Sequence, residues 1–86
     1  MNLHATGAFT DFDAIGPYLE EEMRVVAELN ADGVIKSVYR RLTDGSGVFM
    51  IVEADDPGDA HKRLGRLPLV ANGLLTFQFV PVEQLI

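Results

Sequence analysis

Hydrophobic and polar positions along the chain repeat first every two residues, then about every 3.6, then return to two, and the cycle runs twice. Leu3, Ala5, Gly7 and Phe9 fall on one face of residues 3–9, with His4, Thr6 and Ala8 on the other, which predicts a strand. After a polar connection over Asp11–Ile15, Gly16-Pro17 opens a helix, since proline at the first helical position lacks no N–H that the helix needs. Glu20, Glu21 and Glu22 then sit near the positive end of the helix dipole, and Asn30-Ala31-Asp32-Gly33 ends it, with Gly33 free to take the left-handed cap. Val34–Leu42 is a second strand, with Val34, Lys36, Val38, Arg40 and Leu42 on one face and Ile35, Ser37, Tyr39 and Arg41 on the other. Turn chemistry at Asp44-Gly45-Ser46-Gly47 leads into the apolar run Val48–Val52, a strand covered on both faces, so residues 34–53 form a hairpin. Asp56 as N-cap and Pro57 at the first position begin a second helix, which buries Ala60, Leu64 and Leu67 and ends between Gly65 and Pro68. Leu69–Gly73 connects to a last strand, Leu74–Val82, with Leu75, Phe77 and Phe79 on one face and pairing that fades at Pro81.

The order β-α-β-β-α-β predicts a ferredoxin-like α+β fold, a four-stranded antiparallel sheet with both helices on one side. Such a sheet has one bare face. Neither face of the strand at 34–42 is wholly polar, so the bare face is expected to meet a second copy in a twofold homodimer. At 86 residues the chain is expected to be one domain over 1–86, small enough that oligomerisation would add usefully to its core.

One residue breaks the pattern of the first helix. With Glu22 set at zero on a helical wheel, Leu29 falls about −20° away, Val26 and Tyr18 near ±40°, and Leu19 and Val25 near ±60°. Ile15 joins them at about +20° if the helix reaches back past Pro17. A carboxylate therefore occupies the middle of the face that packs on the core. Burial there disfavours the ionised form and raises the pKa, which suits a general acid or base near neutral pH. The competing reading is a glutamate tilted to a cleft rim, or paired with Arg40 for structure.

Other bulk features narrow the chemistry. A net charge of −6 argues against nucleic acid or an anionic membrane as partner. The absence of cysteine excludes disulfides, a thiolate nucleophile and a cysteine zinc site, and two distant histidines make no metal site. No apolar run approaches ~18 residues and no leader pattern opens the chain, so the cytoplasm is the expected location.

Glu22, Gly33, Lys36 with Arg40, His61 and Leu67-Pro68-Leu69, in that order, resemble the muconolactone isomerase family of the dimeric α+β barrel superfamily. That family pattern has an acid in the first helix, a helix-ending glycine, two basic residues four apart on the next strand, a histidine in the second helix and then Leu-Pro-Leu. His4 matches a histidine of the first strand, and the resemblance runs from about Met1 to Val82. The chain departs from the isomerase at Ile35 and Tyr39, where tryptophans flank the basic residues, at Lys36, where an arginine stands, and at Val70-Ala71-Asn72-Gly73, which replaces an aromatic, proline-bearing stretch. The resemblance implies a cofactor-independent isomerase or cyclase that moves a proton in a lactone, enone or polyketide-like molecule. Relatives of this fold include cofactor-free monooxygenases of aromatic polyketides. A non-catalytic ligand-binding or assembly module is the third possibility.

In the catalytic reading Glu22 shuttles the proton, while Lys36 and Arg40 hold a substrate carboxylate or an enolate oxygen. That role requires the Lys36/Arg40 face of the strand to meet the helices; otherwise Tyr39 and Arg41 take those places. His4, Tyr18 and His61 are substrate-binding candidates of second rank. Each has a plain structural alternative: a strand histidine, a core tyrosine and a surface helix histidine. No metal or cofactor is expected.

Overall fold

The computed structural model describes residues 1–86. Its main elements are β1 (Asn2–Phe9), α1 (Leu19–Ala31), β2 (Ile35–Arg40), β3 (Gly47–Glu53), α2 (Pro57–Leu64), α3 (Pro68–Ala71) and β4 (Leu75–Val82). The four strands form one antiparallel sheet in the order β2-β3-β1-β4. This is the expected ferredoxin-like arrangement, with the helices on one side.

Register decides what each face carries. Leu3 and Ala5 lie opposite Val52 and Met50 on β3, and all four are buried beneath the helices. His4 lies between Ile51 on β3 and Val80 on β4, so it belongs to the open face. That open face also carries Tyr39, Phe49 and Val82, and Tyr39 and Val80 are each more than half exposed. On the helical side Leu29, Leu64, Leu67 and Leu69 are buried with Leu3 and Val52 in one continuous core.

The structure departs from the simple alternation in two places. In β2, Ile35 pairs with Val52 but Ser37 pairs with the very next residue, Ile51, so Lys36 is an extra residue in a β-bulge. The bulge shifts the phase of the strand by one. Ile35, Val38 and Arg40 then share the helical face opposite Val52, Met50 and Val48. Lys36 is taken off that face and reaches Glu53 across an exposed 3.6 Å ion pair.

The second departure is α3 (Pro68–Ala71), a single helical turn that takes up the start of the expected connection at 69–73. Four residues are too few to display a helical period. Pro68 starts the turn at its first position, Leu69 is buried, and Gly73 ends it at φ 71°. Before α1, residues Phe12–Ala14 and Gly16–Tyr18 form two short 3₁₀ turns, and Ile15 between them is buried although the α-helix proper starts later.

The cap of α2 follows the sequence reading. Asp56 Oδ1 accepts from the Asp59 N–H at 2.7 Å. Asp56→Ala is expected to lower the unfolding free energy by about 1 kcal/mol, read as a lower urea midpoint with an unchanged slope.

Candidate functional site

Glu22 is the one charged residue that the fold buries, at 5% exposure. Its wheel position puts it under α1, and α3 supplies what holds it there. The Leu69 N–H donates to Glu22 Oε1 at 2.9 Å. This amide lies in the first turn of α3, where N–H groups have no partner within the helix and are free to donate elsewhere. The other carboxyl oxygen has no protein partner and is not sealed in, so it opens onto the adjoining space. Burial pushes the Glu22 pKa above the usual carboxylate value, and the Leu69 amide opposes that rise in part. The ion pairs of α1 lie on its outer surface, where Arg24 bridges Glu21 and Glu28 and Arg66 reaches Glu28 at 2.9 Å.

The space in front of Glu22 is a cleft of about 410 Å³ between α1, the sheet and the β2–β3 turn. Its walls are almost wholly apolar, with Val26 and Leu69 on the helical side and Val48, Met50 and Leu75 on the sheet side. Phe12, Leu19 and Met23 make an exposed apolar rim. Arg40 also lines the cleft, and its guanidinium forms no ion pair. An apolar slot with one buried carboxyl and one free cation can bind a flat, mostly apolar molecule and move a proton on it.

Of the six side chains singled out in the sequence, the structure brings Glu22 and Arg40 together in this cleft. Lys36 lies outside it, held at Glu53 by the bulge. Tyr18 is half-buried against the core and does not line the cleft. His4 is across the sheet on the open face, its ring 5.8 Å from that of Phe49. His61 sits on α2 with its ring edge-on to Phe79 at 4.6 Å, and it lines a second, smaller cleft of about 220 Å³. No group of three histidine or acidic side chains is arranged to hold a metal ion. The Leu69 amide is the functional group that the sequence reading passed over; its signal is Pro68, which marks the start of a turn whose next N–H groups are unpaired.

No protein-family model matches the sequence, and no curated protein matches it. Among solved structures the chain is similar to the 5-chloro-2-hydroxyhydroquinone dehydrochlorinase TftG of Burkholderia phenoliruptrix, in complex with 2,5-dihydroxybenzoquinone. The TM-score is 0.67 at 16% identity, over 94% of this chain and 93% of that one. The likeness is one of fold: a four-stranded ferredoxin-like sheet with its helices on one face. No helix is long and apolar enough to cross a membrane.

Proposed function

We infer that the chain is a cofactor-independent enzyme of the muconolactone isomerase-like type, which isomerises or cyclises a small unsaturated ring compound by moving a proton. The observation that carries this reading is Glu22: a buried carboxyl with one oxygen fixed by the Leu69 amide and the other facing an apolar cleft. Burial raises its pKa above that of an exposed glutamate, the direction that suits a group which takes a proton and returns it. Removal of a proton beside a carbonyl leaves an enolate, and the unpaired Arg40 guanidinium supplies positive charge to the oxygen that gains it. The quinone in the TftG complex supports a flat ring as the substrate class. A second copy of the chain would cover the open sheet face with its exposed Tyr39 and Val80. The expected location is the cytoplasm.

The test is deuterium exchange. The protein is incubated in D₂O with butenolides, cyclic enones and hydroxyquinones, and NMR follows deuterium entering the carbons α and γ to the carbonyl. Catalysed exchange in at least one class is expected. Absence of exchange throughout the panel would sink the isomerase reading, and substrate-dependent oxygen uptake in its place would establish a monooxygenase. Arg40→Met is expected to lower kcat/KM for the exchanging compound about tenfold, because a charge-assisted hydrogen bond worth about 1.5–3 kcal/mol is weakened where the cation is exposed to water.

A further inference from the structure

The two clefts lie side by side under the helices, and one side chain lines both. The larger, with Glu22, runs from the β2–β3 turn toward β4. The smaller, ending at His61, opens at the outer side of β4. Leu75, only 3% exposed, belongs to the lining of each. At the floor, Val48 of the larger cleft and Phe77 of the smaller close over Gly7. A β-carbon there would lie 2.9 Å from Val48 Cγ2 and 2.7 Å from Phe77 Cε1. The missing side chain at Gly7 thus lets the two walls approach each other, and Leu75, the first residue of β4, lies opposite Phe9, two residues along the same strand face from Phe77.

We propose that Leu75 is the partition that sets the length of ring system the Glu22 cleft admits, making it the specificity-determining residue of this site. The inference rests on the reading of that cleft as the substrate site. The space beyond Leu75 is already formed and apolar, so a shorter side chain joins existing volume to the cleft. A longer fused-ring molecule then extends past β4 toward His61 while its reactive end stays at Glu22. The charged groups Glu22 and Arg40 both lie on the near side of the partition, so their arrangement is unchanged by its removal.

The experiment is a binding ladder of phenolic ligands with one to four linearly fused rings, measured on wild type, Leu75→Ala and Leu75→Val. NMR of the Glu22 side-chain carboxyl carbon reports whether each ligand enters the cleft. Wild type is expected to show a sharp cut-off in ring number. Leu75→Ala is expected to bind the first excluded member at least tenfold tighter, with the Glu22 signal shifted, and Leu75→Val to fall between. Leu75→Val removes a single methylene, so it keeps the test open if the alanine variant unfolds. An unchanged cut-off in a folded variant, with the shorter ligands still shifting Glu22, overturns the partition alone. A ladder in which no ligand shifts Glu22 in any variant overturns the substrate site itself, and Leu75's role with it.

Discussion

Glu22→Gln is expected to remove most of the proposed proton transfer, by about 10²- to 10⁴-fold in kcat, and at the same time to make the protein more stable at neutral pH. The first effect follows because an amide neither accepts nor returns a proton at neutral pH, while its shape and its carbonyl oxygen still fit the site. The Leu69 N–H keeps its acceptor, so substrate binding changes little and the loss appears in kcat. The second effect follows from the direction of the pKa. Glu22 holds its proton more tightly in the folded chain than in the unfolded one. Below the ordinary carboxylate range it is protonated in both states and costs nothing. As pH rises through that range the unfolded chain ionises first, the native state binds more protons, and stability falls until Glu22 ionises in the folded state too. Above that point the penalty is constant. Glutamine carries no such penalty. Thermal melts should therefore show the variant above wild type at pH 8, with the gap closing toward pH 4. A variant less stable than wild type at pH 8 would mean that the carboxylate is held by something beyond the Leu69 amide.

Gly47→Ala has the largest effect expected on the fold, about 3 kcal/mol lost. A β-carbon at Gly47 would lie 2.4 Å from the Gly7 carbonyl oxygen. The obstacle is backbone in the central β1–β3 pair, where Gly47 lies opposite Ala8, so no flexible side chain can swing aside. Relief requires the two central strands to part next to the cleft wall at Val48. A domain of this size has a net stability of roughly 0.05–0.15 kcal/mol per residue, so such a loss removes from about a quarter to about two-thirds of it. Gly16→Ala is the control. Nothing lies within 4 Å of a β-carbon there and its φ is not positive, so it should be neutral or slightly stabilising. Parallel denaturant titrations of the two variants separate loss of space from loss of glycine flexibility.

The sequence carried the order of the elements because its turn residues and its periods agree. Asp56-Pro57 and Gly33 mark helix ends by chemistry that acts over three or four residues, and the structure uses both. Glu22 was legible for the same reason, since a helical wheel needs only the period of one element. Lys36 was not. Strict alternation set it beside Arg40, and the bulge that removes it is fixed by pairing with β3, a partner fifteen residues further on. The Leu69 amide was hidden for a different reason: it is main chain, and any residue other than proline at that position would offer it. Tyr18 and His61 show the limit of a single-helix argument, because which neighbour a helix face meets depends on the whole sheet. The fold was thus readable from local rules, and the membership of the site was readable only where those rules reached it.

The bulge at Lys36 has a consequence for the life of the protein in a crowded solution. β2 is an outer strand of the sheet, and a straight outer strand offers a row of unpaired amides on which another chain can grow. An extra residue twists that row out of line, and Lys36 and Arg41, paired with Glu53 and Asp44, keep charged side chains along the strand. Deleting Lys36 would straighten the edge and remove one of its charges together, giving a chain that still folds its core but is prone to strand-by-strand self-association. The same single residue that takes a cation away from the cleft thereby guards the sheet against templated aggregation.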